Sequence, residues 1–190
     1  VPDHPEDFTP EKLVENGVNN YTAINENERI DFKYLGDGQI GIIIGGYNDE
    51  NAKNNSDGQN HLITQFNNKT DLRAIRDYNS NGESTSYGSG SLFWDFDVEV
   101  REIKPKDGMS DTQFNYNIIK GAKNYQENTK TNPIKYNAIP SCGNGYNCNS
   151  FSNSLLNYSG SGQSKPTDFK GNDTGRNNLI NSNYFINNSR

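Results

Sequence analysis

Apolar residues recur at helical spacing in two stretches of this chain and run together or alternate in four others. Phe114, Ile118, Ile119, Ala122 and Tyr125 fall at helical intervals, which predicts a helix over residues 111–125 with Ser110 or Asp111 as its cap. Phe151 and Leu155 are one helical turn apart with Leu156 beside them, so a second helix carries them on one stripe. Asn147 is the expected N-cap of that helix and Gly160 its expected stop. Residues 39–47, an unbroken apolar run bounded by glycines, have the length and β-branching of a buried strand. Residues 61–66 and 71–78 read as the two strands of a hairpin turning at 67–70. The clearest strand is 92–103, where Phe93, Asp95, Asp97 and Glu99 alternate with Trp94, Phe96, Val98 and Val100. Strands followed by helices predict an α+β domain with an antiparallel sheet on which the second helix packs.

The rest of the chain is polar. Residues 1–38 read as a polar N-terminal extension with a short helix at 11–16, and 39–190 as the folded domain. Residues 48–60 and 79–91 read as loops, whereas Leu179, Ile180, Tyr184, Phe185 and Ile186 are expected to pack back onto the core. A mean hydropathy of -1.00 suits a disordered chain. Eleven tyrosines, nine phenylalanines and a tryptophan argue for a folded one, because they supply large areas of buriable surface. Much of the polarity is due to 32 asparagines rather than to net charge. The formal charge of -6 argues against a nucleic-acid partner, which would select a basic face. No apolar run approaches the roughly 18–20 residues of a membrane span. Residues 1–7 lack the basic and apolar regions of a signal peptide, so either a signal was removed or the domain was cut from a longer protein.

Candidate chemistry centres on Cys148, at the first turn of the second helix. A thiol there feels the positive end of the helix dipole, which favours the nucleophilic thiolate. Its backbone N–H is a candidate donor to an oxyanion. A cysteine nucleophile needs an imidazole to hold the proton and a polar group to orient that imidazole. His4 lies between prolines in the leader, which leaves His61, at the start of a strand, as the partner for Cys148. In the expected hairpin the far end of the second strand returns beside His61, and Asp77 is the chemically sensible orienting residue there. Ser150 is a weaker nucleophile candidate because no Gly-X-Ser-X-Gly elbow surrounds it. Gly45-Gly46 is not followed by the Lys-Ser/Thr of a phosphate loop. The acidic residues of 92–103 read as a solvated face, and Cys and His are too few for a metal site. The chemistry calls for no cofactor.

A histidine on a strand, then further strands and a helix, then Asn147-Cys148-Asn149-Ser150-Phe151 opening a helix, resembles circularly permuted papain-fold proteins. These include permuted NlpC-like peptidases and the lecithin:retinol acyltransferase-like group. Asn153-Ser154-Leu155-Leu156, and the tail Pro166-Thr167-Asp168-Phe169 with Gly175-Arg176-Asn177-Asn178-Leu179, are similar to segments of cysteine-peptidase domains in bacterial polymorphic toxins. The likeness covers roughly residues 61–180. It implies that 39–190 is a permuted papain-like catalytic domain, a cysteine peptidase or amidase with a Cys148–His61 dyad. It further implies secretion or delivery into a target cell, a wall-peptide or target-cell protein substrate, and an immunity protein as partner. An acyltransferase would use the same dyad. The alternative from another class is a non-catalytic secreted binding module stapled by a Cys142–Cys148 disulfide.

Overall fold

Capping and glycine placement decide where the elements of this chain begin and end. The computed structural model describes residues 33–37, 39–49, 55–81, 102–140, 145–162 and 175–187. In chain order it contains β1 (Lys33–Gly36), β2 (Gln39–Gly41), β3 (Ile44–Asn48), β4 (Leu62–Phe66), α1 (Lys69–Asn81), α2 (Asp111–Thr131), α3 (Cys148–Ser159) and a 3-10 turn (Ser182–Phe185). The architecture is mixed α+β, with two-stranded sheets and three α-helices among the described residues. The chain forms two compact units.

In the first unit, β1 and β2 pair antiparallel, Lys33 opposite Gly41 and Tyr34 opposite Ile40, with a register shift before Gly36 pairs with Gln39. α1 packs on β1 closely enough that a methyl group on Gly36 would stand 2.8 Å from the Arg76 carbonyl oxygen. The Asn79 amide donates to the Leu35 carbonyl at 2.6 Å, which fixes the helix along the strand. α1 replaces the strand expected at 71–78, so the hairpin with His61 does not exist. The physical reason is a cap: Asn68 Oδ1 accepts from the Thr70 N–H at 2.9 Å, and the Asn68 carbonyl accepts from the Leu72 N–H at 2.9 Å. Leu72 is then buried on the helix.

The run at 39–47 divides between two sheets rather than forming one strand. Ile43 leaves the ladder because its N–H bonds the Asn67 side-chain oxygen at 3.1 Å. β3 pairs with β4, and the bonds flanking that pair, Asp49 N–H to the His61 carbonyl and Asn67 N–H to the Ile43 carbonyl, run in antiparallel order. Of the strand expected at 92–103, residues 92–101 lie outside the described residues, and Glu102 and Ile103 are not in a strand. The helix expected at 11–16 also lies outside them.

The second unit is built around a set of rings. α2 begins at Ser110, whose side chain accepts from the Gln113 N–H at 3.2 Å. It runs past Tyr125 to Thr131 and stops one residue short of Pro133, where the pre-proline position disfavours helix. Fully buried Tyr125 meets Phe151 of α3 edge-on at 4.9 Å and stacks on Phe185 of the 3-10 turn at 5.4 Å. Tyr158 of α3 also stacks on Phe185, at 5.6 Å. Ile180 and Phe185 are buried as expected of the tail, whereas Leu179 and Ile186 are exposed. Asparagine amides hold the tail to α2: Asn124 donates to the Phe185 carbonyl, and Asn128 to those of Tyr184 and Ile186, all at 2.9 Å. These two asparagines are thus structural, because their amides satisfy backbone carbonyls of the tail.

α3 packs on β3 through glycine. A methyl group on Gly46 would come 2.6 Å from Phe151 Cβ, closer than carbon atoms approach. Gly46→Ala is therefore expected to displace α3 and cost about 1–3 kcal/mol, read as a lower urea midpoint. An unchanged midpoint would show that α3 does not rest on β3 there.

Candidate active site

The helix carrying Cys148 starts where its sequence says it should. Asn147 is extended at φ -132°, its side-chain oxygen accepts from the Ser150 N–H at 3.0 Å, and the Ser150 hydroxyl accepts from the Asn147 N–H at 3.3 Å. This reciprocal capping box fixes the first turn. Gly160 ends the helix in the left-handed conformation at φ 93°. Cys148 is the first helical residue, and it is exposed. Its position gives the thiol the positive end of a twelve-residue helix.

His61 is held from its own loop. Its Nε2 stands 2.9 Å from Asp57 Oδ2, and the other carboxylate oxygen accepts from the Gln59 N–H at 3.0 Å. An ionised carboxylate only accepts, so Nε2 carries the proton and Nδ1 is left facing away from Asp57. The Asp57 carboxyl is lowered from its ordinary 3.8, first by the hydrogen bond from His61 and then by that from Gln59. The His61 side chain is 16% exposed and that of Asp57 46%.

One ladder connects the histidine and cysteine segments. His61 lies directly opposite Lys135, bracketed by the Leu62 N–H to Ile134 carbonyl bond and the Tyr136 N–H to Asn60 carbonyl bond, each 2.8 Å. On its other edge the 134–137 segment takes Tyr146 in a parallel bridge to Tyr136. Alternation along these segments gives His61 and Lys135 one face, and Tyr136 and Tyr146 the other. The Tyr136 phenol is raised above its ordinary 10.0 by burial and then by the charge of Cys148. The thiol is thus close enough to Tyr136 to act on its ionisation, and the imidazole's hydrogen-bond partner among the described residues is Asp57. No hydrogen bond joins His61 to Cys148.

Asp77, the expected orienting residue, lies in α1 of the other unit, and its side chain is outside the described residues. Cys142 is also outside them, and the disulfide alternative with it. Sequence reasoning missed Asp57 and Tyr136. The signal for Asp57 was its place in an Asp-Gly turn four residues before His61. Tyr136 had no such signal, because a ladder brings it to the cysteine segment. Among the described residues no group of three or more Cys, His, Asp or Glu is placed to hold a metal, and no helix is long and apolar enough to cross a membrane. Comparison with known proteins finds no family model, no curated protein and no solved structure that matches this chain.

Proposed function

We propose that the chain is a thiol-dependent hydrolase of peptide or amide bonds, of permuted papain-like type, with Cys148 as nucleophile and His61 as its proton acceptor. The observation that carries this reading is the exposed thiol at a reciprocally capped helix start, an environment that favours the nucleophilic thiolate. The carboxylate-held imidazole on the same ladder supports it, because Asp57 fixes the tautomer that leaves Nδ1 as a base. In the reaction, Cys148 loses its proton to His61 and its sulfur bonds the substrate carbonyl carbon. The C–N bond then breaks as His61 returns the proton to the leaving amine. Water, deprotonated by His61, opens the thioester and restores the thiol. His61 and the Tyr136 that senses Cys148 are placed on opposite faces of the ladder, so the reading requires the 134–137 segment or the start of α3 to shift before the proton can pass. A secreted or delivered effector setting, a wall-peptide or target-cell protein substrate and an immunity protein over Cys148 complete the proposal.

The test is iodoacetamide labelling of native protein from about pH 5 to about pH 9, with mass-spectrometric assignment. Wild-type Cys148 is expected to label well below the ordinary thiol range near pH 8.5, and His61→Ala to shift that profile upward. An ordinary profile, insensitive to His61→Ala, would sink the proposal. Labelling only after reduction would instead favour the stapled binding module.

Asp57→Asn tests the orienting role. It keeps the shape but removes the charge, and is expected to slow turnover about tenfold or more. The pH dependence follows from the sign of the Asp57 shift. A carboxyl lowered below 3.8 stays ionised above that value, so the contact with His61 holds through the neutral range. It is lost only as pH falls through the lowered value. Activity loss between neutrality and about pH 5 in wild type would therefore not report on Asp57.

A further inference from the structure

Three polar residues on α3, Ser150, Asn153 and Ser154, point into protein rather than solvent, and one segment accounts for all three. Ser150 and Ser154 are buried. The Ser150 hydroxyl donates to the Gly175 carbonyl at 2.8 Å, and the Asn153 amide to the Arg176 carbonyl at 2.7 Å. The Ser154 hydroxyl accepts from the Ile180 N–H at 2.8 Å. Residues 175–180 thus run along the first two turns of the helix as a strap. The strap is tied to itself by the Asn178 N–H to the Gly175 carbonyl at 2.9 Å, and to the approach to the helix by the Asn178 amide to the Gly145 carbonyl at 2.6 Å. Gly175, at φ 86°, lies so close to the cap that a methyl group there would stand 2.7 Å from Asn147 Oδ1 and 2.5 Å from Pro140 Cγ. The Asn147 amide completes the network by donating to the Ala138 carbonyl at 3.2 Å.

We infer that the 175–180 strap positions the reactive thiol, with Ser150 as the joint through which it sets the capping box before Cys148. Ser150 is both a link of the strap and half of the cap: its hydroxyl accepts from the Asn147 N–H while donating to the Gly175 carbonyl. Releasing it loosens the turn whose peptide dipoles act on the thiol. Ser154, one turn further on, ties the same strap; its hydroxyl donates to the Ser150 backbone carbonyl at 2.6 Å, away from the hydroxyl and amide groups that make the capping box. Among the described residues, the titratable groups on the segments next to the thiol are Tyr136 on the 134–137 segment and its bridge partner Tyr146 before the helix, and the strap itself carries Arg176. α3 itself carries no charged residue. Neither substitution alters one of these groups, and only Ser150→Ala removes a member of the capping box.

This inference rests on the nucleophile reading, and its test separates the two. Cys148 labelling against pH and thermal unfolding are measured for wild type, Ser150→Ala, Gly175→Ala and Ser154→Ala. Ser150→Ala and Gly175→Ala are expected to slow labelling at neutral pH about two- to fivefold, with the profile moved to higher pH. Ser154→Ala is expected to lower the unfolding temperature comparably and leave the profile unchanged. Identical profiles for Ser150→Ala and wild type, or an equal shift in Ser154→Ala, would overturn the positioning role. A wild-type profile that is ordinary from the start would instead overturn the nucleophile reading.

Discussion

Tyr125→Ala is expected to cost about 3–5 kcal/mol of unfolding free energy, enough to leave a domain of ordinary stability barely folded. The side chain is fully buried and touches three rings: Phe151 at 4.9 Å, Phe185 at 5.4 Å and Tyr184 at 6.1 Å. Its hydroxyl donates to the Leu62 carbonyl at 2.9 Å, so the one residue joins β4, α2, α3 and the tail. Truncation leaves a cavity among aromatic rings that cannot collapse independently, the case in which the loss is largest. Tyr125→Phe keeps the rings and removes the hydroxyl, and is expected to cost about 1–2 kcal/mol. Urea unfolding read by tyrosine fluorescence and by far-ultraviolet circular dichroism checks both values. A Tyr125→Ala loss below about 1 kcal/mol would mean that these rings are not the core. The same phenol makes stability pH-dependent. Burial first, and the neighbouring Tyr184 and Tyr146 phenols next, push its ionisation far above the ordinary 10.0. The unfolded chain therefore releases this proton first, and stability present in full below pH 10 falls as pH rises above it.

Cys148→Ala carries the largest functional effect: loss of hydrolysis by about a thousandfold or more, with the fold retained. The nucleophile forms the covalent bond in the proposed reaction, so no neighbouring group substitutes for it. Its removal leaves the packing untouched because the side chain is exposed and Phe151, Ser154 and Leu155 supply the buried face of α3. Stability is expected to change by no more than about 0.5 kcal/mol. Release of new amino termini from peptide substrates, followed by mass spectrometry, compares the variant with wild type. Turnover surviving in Cys148→Ala would rule out a thiol mechanism whatever the labelling profile showed.

The readings that needed only neighbouring residues are the ones the structure bears out. Asn147 and Gly160 bracket α3, Ser110 opens α2, and 62–66 is a strand, because caps and periodicity act over three or four positions. Local ambiguity misled at 71–78, read as the second strand of a hairpin because 67–70 resembles a turn, whereas Asn68 supplies a helix cap there. Tertiary pairing decided the division of 39–47, since an apolar run does not say which of two partners each half will find.

The cysteine at a helix start was therefore determined by the sequence alone, together with the aromatic content that makes a core. Only the tertiary structure showed Asp57 bonded to His61, brought the Tyr136 segment to the segment before Cys148, and buried Ser150 and Ser154 under the 175–180 strap. The bonds from that strap to α3 span 25, 23 and 26 residues. A serine that faces solvent and one that meets a distant carbonyl read identically along the chain, and the difference arises only when the tail folds back over the helix.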